Sequence, residues 1–304
     1  MGKWSIFLAR ARRDKFLYAL ALPGLIYFVL FKYVPIAGIA ISFQNYNPFL
    51  GFWGSKWVGF EHYLRFFSHE DFWILMRNTL AINTLNLLFF FPAPILLSLM
   101  LNELRKEAFK RVIQSIVYLP HFLSWVIIAG LTFLLLSQSQ GIVNKLIVSF
   151  GGETIPFLMD PDYFWLLITL QSMWKDAGWG TIIFLAAMAN LDPQLYEAAK
   201  MDGAGRYRQA WHITLPGIRN VILILLILRL GHVMDVGFEQ VYLMMNAAVS
   251  NVADVFDTYV YRVGIREAQF SYSTAIGVFK SVVGIILVVA ANRLTKRFGE
   301  EGVY

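Results

Sequence analysis

The sequence predicts an all-α, polytopic membrane protein of six transmembrane helices with both termini in the cytoplasm, and three observations carry that expectation. The 304 residues are 58% hydrophobic and only 15% charged, where a soluble domain averages about 45–50% apolar and about 25% charged. Six stretches reach the roughly 20 mainly apolar residues that a spanning helix needs. The lysines and arginines outside those stretches gather in alternate loops, as expected when basic residues are held on the cytoplasmic face. That bias accounts for the net charge of +6 without invoking nucleic acid as a partner. The absence of cysteine excludes disulfides, thiolate catalysis and cysteine metal sites.

In chain order, residues 1–15 form a basic cytoplasmic segment (Lys3, Arg10, Arg12, Arg13, Lys15), followed by an apolar stretch over 16–43 with one charge, Lys32. Basic-then-apolar also describes a signal peptide, but a signal core runs only about 7–15 residues, so an uncleaved first span is expected. The next spans are expected at about 73–101, 112–137, 163–189, 218–245 and 272–293. The third lies in a run without Asp, Glu, Lys or Arg from Val112 to Asn144, so its end is expected in an outer loop. Pro23, Pro35, Pro92 and Pro94 fall inside spans and are expected to kink them, which membrane helices tolerate when neighbours satisfy the freed carbonyls. The spans make one domain, 16–297, and residues 298–304 form a cytoplasmic tail. The termini and the loops after spans two and four hold sixteen basic residues, against five in the alternate loops (Lys56, Arg65, Lys145, Arg262, Arg266). The outer stretches 46–67 and 255–265 are rich in aromatics, which suits an interfacial belt with a short surface helix or a docking surface for an outer partner.

One polar stretch interrupts this pattern: EAAKMDGAGRYRQAWHITLP at 197–216, with the acidic pair Glu197 and Asp202. Leu195, Tyr196, Ala198, Ala199 and Met201 offer a small apolar surface in a helix-favouring segment. Gly203 and Gly205 permit a sharp turn. Arg206–His212 carries Tyr207 and Trp211 four residues apart, on one helical face, and Pro216 marks the entry to span five. A tight solvated connector and a cytoplasmic docking knob both fit this composition.

The fixed positions Glu197, Ala198, Ala199, Gly203, Ile213, Leu215 and Pro216 resemble the EAA loop of binding-protein-dependent ABC importer permeases. Their place in the last-but-one cytoplasmic loop matches as well. The resemblance implies a type I importer permease architecture, with Glu197, Ala198, Ala199, Asp202, Gly203, Tyr207, Trp211, Ile213, Leu215 and Pro216 coupling to an ATPase. Glu197 would meet a basic group or backbone, the two alanines would enter a cleft, and Gly203 would make the turn. No GxxxxGK[ST] loop occurs in the chain, so ATP and magnesium would be used by a partner ATPase, with no cofactor bound here. The implied partners are a second homologous permease (a heterodimer), two cytoplasmic ATPase subunits, an extracytoplasmic solute-binding protein and an oligosaccharide, in a bacterial plasma membrane. The stretches 22–49, 118–126, 257–264 and 277–294 look like the sugar-importer branch, and within it like permeases for alginate or pectin fragments.

The last three spans each carry a cation near the middle: Lys175, Arg229 and Lys280. A central charge costs about 2.5–3.5 kcal/mol on insertion scales, so these groups are expected to face protein or water. Trp174, Asp176, Trp179, His232, Asp235 and Glu239 lie near them in sequence. Ion pairing across helices is one reading. The other is a polar translocation path of Trp174, Lys175, Trp179, Arg229, His232, Asp235 and Lys280, in which a cationic lining suits an acidic oligosaccharide such as a uronate. His121, in YLPHFLSWV, is expected to be a hydrogen-bonded packing group, and the histidines show no metal spacing. An ion-coupled secondary transporter is the alternative function, and a membrane enzyme built on Asp160 and Asp162 is a weaker one.

Overall fold

The computed structural model describes residues 13–104 and 106–297. Most of the basic N-terminal segment, Arg105 and the 298–304 tail lie outside the described residues. Helical segments occupy all six expected spans. Three are long and apolar enough to cross a membrane: Lys15–Phe43, Asp71–Asn102 and Phe270–Arg297. The count rises to five if each of two bent pairs is one span, Glu107–Phe122 with Trp125–Leu136 (101°) and Arg206–Gly217 with Arg219–Gly231 (60°). The remaining expected span is the helix Pro161–Ala189, whose 29 residues reach about 43 Å. Its polar residues Gln171, Ser172, Lys175 and Thr181 are buried.

Contacts divide the described residues into two units, 13–67 with 263–278 and 68–262 with 279–297. In the first, α1 (Lys15–Phe28) passes through a π-helical turn at Val29–Tyr33 into a 3-10 stretch at Val34–Phe43. A two-stranded ribbon follows, β1 (Gln44–Asn45) antiparallel to β2 (Lys56–Trp57), with Gln44 opposite Trp57. The short helix α2 (Gly51–Gly54) joins the strands. Buried Ser42 receives a hydrogen bond from the Tyr63 hydroxyl at 2.8 Å. From α3 (Glu61–Ser68), Phe66 packs on Tyr272 and the Arg65 guanidinium lies 4.4 Å above the same ring.

The second unit contains α4 (Asp71–Leu85), a π-helical turn at Asn86–Phe90 and α5 (Pro92–Asn102). It continues through α6 (Glu107–Tyr118), a 3-10 turn at Leu119–Phe122, α7 (Trp125–Leu136), α8 (Ile142–Ser149) and α9 (Pro161–Ala189). After the helices α10 (Pro193–Met201), α11 (Arg206–Gln209) and α12 (Leu215–Gly217) come α13 (Arg219–Gly231) and α14 (Phe238–Met244). Two short helices, α15 (Ser250–Ala253) and α16 (Phe256–Tyr261), precede α17 (Phe270–Arg297).

The prolines expected to kink spans one and two do not mark the sharp bends. Before Pro92 the helix widens by one residue, so the Phe91 N–H reaches the Asn86 carbonyl at 2.8 Å and the ring is absorbed. The sharp bends fall at Leu119–Ser124 and at Gly217–Ile218 instead. Span five is also interrupted. Helix α13 stops at Gly231, and the chain turns through His232–Gly237 before α14.

Helix α9 is the axis of this unit. Ile82, Phe164, Ile168, Val241 and Met244 form an apolar cluster at its N-terminal half, and Phe184, Met188 and Ile218 form another at its C-terminal half. Between them runs a polar ladder. Gln171 donates to Thr132 Oγ1 (2.7 Å), Gln240 donates to the Ile168 carbonyl (2.8 Å) and to Gln171 Oε1 (3.1 Å), and Ser172 donates to Gln240 Oε1 (3.0 Å). Such bonds hold membrane helices together where lipid provides no hydrophobic drive. The close crossing of α9 and α6 needs Gly178, because a Cβ there would run into the Val117 carbonyl.

Gly178→Val is therefore expected to destabilise the protein by about 1–3 kcal/mol through overpacking. Gly130→Ala, inside α7, meets nothing within 4 Å and should not lower stability, alanine being the better helix former. Thermal unfolding of the two purified variants makes the comparison.

Candidate functional site

Residues 191–218 build a projection whose base is fixed and whose tip is bare. Asp192 caps α10 by accepting the Gln194 N–H at 2.9 Å. Helix α10 ends where Gly203 takes φ +74°, a left-handed conformation that costs a residue with a side chain about 1–2 kcal/mol. The Ala204 N–H then closes on the Ala199 carbonyl at 2.8 Å. Gly205 has an ordinary φ of −70°, so of the two glycines expected to turn the chain only Gly203 does so. Beneath, the Tyr196 hydroxyl bonds buried Thr214 at 3.0 Å, and Ile218 packs on Phe184 and Met188. Arg206 pairs with Glu103 at 3.6 Å, joining the projection to the end of span two. Above that base, Tyr207 is 94% exposed, Met201 89% and Trp211 69%. Glu197, Ala198 and Asp202 are exposed, and Ala199, Ile213 and Leu215 are half-buried or better. Glu197 makes no hydrogen bond or ion pair among the described residues.

The break in span three is held by α9. Past Pro120 the chain leaves helical geometry, with Leu123 at ψ 139° and Ser124 capping α7. Carbonyls are thereby left without helical partners, and hydrocarbon cannot satisfy them. Lys175 does so: its ammonium donates to the His121 carbonyl at 2.7 Å and the Leu123 carbonyl at 2.6 Å, and lies 5.4 Å from the Trp125 ring centre. One residue on, Asp176 bonds His121 Nδ1 at 2.8 Å. Trp179 stacks on the same imidazole with ring centres 4.5 Å apart and planes 7° from parallel. His121 is thus a hydrogen-bonded packing group, as expected. The partners of Lys175 are carbonyls, not a carboxylate across helices.

The break in span five is held by α17. Lys280 lies between Asp257 and Asp235, 2.8 Å from the latter. The other Asp257 oxygen accepts the Val236 N–H at 3.1 Å, and His232 Nδ1 is 3.3 Å from Asp235. The structure brings His232, Asp235 and Lys280 of the expected path set together and adds Asp257, a residue of the aromatic stretch 255–265. The signal was the unmatched charge of Lys280. Arg229, one turn before the break, lies 5.3 Å from the Phe90 ring centre. Trp174 is not part of either cluster and lines an apolar hollow with Leu131, Leu134 and Leu170.

The model of the family "Binding-protein-dependent transport system inner membrane component" matches residues 91–300. The chain is 57% identical over 297 residues to the polygalacturonan/rhamnogalacturonan transport system permease protein YteP of Bacillus subtilis (strain 168), covering 98% of this chain and 92% of that one. It is 55% identical over 303 residues to protein LplB of the same organism, covering 100% and 95%. Among solved structures it is similar to a chain of a bacterial alginate ABC transporter crystallised with an alginate pentasaccharide-bound periplasmic protein. That match has a TM-score of 0.89 and 40% identity over 97% of this chain and 99% of that one.

Because Lys280 and Asp257 are both mostly buried, Lys280→Met should cost about 3 kcal/mol by stranding a carboxylate. The double variant Lys280→Met/Asp257→Asn should recover part of that loss. Equilibrium unfolding of wild type, Lys280→Met, Asp257→Asn and the double variant tests the pair, and additive losses would show that the two groups act independently.

Proposed function

The chain belongs to the family of binding-protein-dependent transport system inner membrane components, and from that premise we propose that it is the permease subunit of an ATP-driven importer of acidic oligosaccharides. It is a transport subunit, not an enzyme. The family reading takes the place of the ion-coupled alternative. A solute-binding protein delivers sugar at the outer face, a second homologous permease completes the path, and two ABC ATPase subunits hydrolyse ATP with magnesium in the cytoplasm. The membrane is the bacterial plasma membrane. The substrate class rests on the names of similar proteins, which concern polygalacturonan, rhamnogalacturonan and alginate; galacturonate and the alginate residues carry carboxylates.

The observation that supports coupling is the contrast between bare tip and fixed base in the projection. Tyr207, Met201 and Trp211 are exposed, and Glu197 has no partner of its own among the described residues. Large exposed apolar groups beside an unpaired acid fit a protein partner. Glu197, Ala198, Ala199, Asp202 and Gly203 form the inserted helix end, with Tyr207 and Trp211 beside it. Ile213, Leu215 and Pro216 lead back into the membrane. Load on the tip passes through the Tyr196–Thr214 bond and the Ile218 packing into α13. The far end of α13 is the polar break of span five.

A side chain at Gly203 would meet nothing within 4 Å, so a substitution there acts through backbone conformation alone. Gly203→Val should lower sugar uptake roughly tenfold per ATP hydrolysed, about what 1–2 kcal/mol of left-handed strain represents. Gly203→Asn, which tolerates that region, should retain most coupling. Uptake and ATPase rates in proteoliposomes provide the measurement, and wild-type coupling in the valine variant would sink the proposal.

A further inference from the structure

Of the three cations near the middles of the last three expected spans, two are engaged within their own chain: Lys175 by carbonyls and Lys280 by carboxylates. Arg229 is not. Its guanidinium lies over the Phe90 ring and makes no hydrogen bond or ion pair among the described residues. An aromatic face attracts the charge but accepts none of the five N–H donors in their in-plane directions. An ionisable group kept inside a membrane domain without a partner marks a functional site.

The unclaimed donors suggest what completes it. A planar guanidinium fork matches a carboxylate in two parallel bonds, and its seat on the Phe90 ring leaves the in-plane directions to such a group. We propose that Arg229 is the carboxylate-recognising residue of the translocation path, holding a uronate group of the sugar. This rests on the substrate class proposed above. Arg229 also ends the helix whose start lies under the coupling projection, so a movement driven there displaces the guanidinium and releases the sugar.

The test uses the complete transporter, with its partner permease, ATPase and binding protein, in proteoliposomes. Uptake of trigalacturonate is compared with that of its methyl ester, which has the same length and no charge. Wild type should prefer the acid. Arg229→Gln should reduce that preference at least about tenfold, the low end of what a lost charge-assisted hydrogen bond costs. Arg229→Lys should reduce it less, and serves as the test should the glutamine variant fail to assemble. Equal losses for acid and ester, as when Arg229 pairs with the second permease, would overturn the assignment, as would an unchanged preference. A wild type that carries neither sugar would remove the substrate reading itself and the assignment with it.

Discussion

A lysine ammonium buried between helices and bonded to two main-chain carbonyls, Lys175 on His121 and Leu123, decides where span three can break. A bend of 101° exposes backbone that a helix would have satisfied, and inside a membrane no water is on hand to replace the lost bonds. The break therefore exists only where another element brings donors to it. Helix α9 supplies them through two successive residues, since Asp176 fixes the His121 ring while Lys175 fixes its carbonyl. With the break anchored, α6 and α7 can lie at different inclinations against α9, and the Gln171–Thr132 bond and the apolar cluster at the N-terminal half of α9 follow.

The break in span five obeys the same constraint with different groups. There a carboxylate, Asp257, accepts the Val236 N–H, and Lys280 neutralises it together with Asp235. Charge in this protein is thus placed where helices are interrupted. The second interruption lies at the end of α13 away from the 191–218 projection. Arg229 stands apart because no acceptor among the described residues takes its donors.

Much of this was legible in the residues. Helices stand at all six expected stretches, and three of them, or five with the two bent pairs, are long and apolar enough to cross a membrane, because burial in lipid demands long apolar runs whatever the tertiary packing. The projection at 197–216 was legible because its features are local: Gly203 supplies a backbone conformation, and the spacing from Glu197 to Pro216 sets the length of two short helices. The breaks were not legible. Pro120 lies in an uncharged run that reads as one continuous span, and its consequences depend on a lysine far along the chain, Lys175. Pro92 looked equally disruptive, yet a one-residue widening absorbs it, a choice made by packing and not by the proline. The partners of Lys175 are carbonyls, which every residue possesses and which therefore leave no mark in a sequence. Asp257 was hidden for a related reason, since only the fold brings the 255–265 stretch to the middle of the last helix.

Lys175 is a structural tie and Arg229 a charge without a partner in its own chain, and one comparison separates the two roles. The thermal midpoint of the assembled transporter, without sugar, would be measured for wild type, Lys175→Met and Arg229→Met. Lys175→Met should lower it markedly, because two carbonyls lose their donor, whereas Arg229→Met should leave it near the wild-type value. Equal destabilisation by the two substitutions, or a Lys175 variant as stable as wild type, would contradict that division of roles.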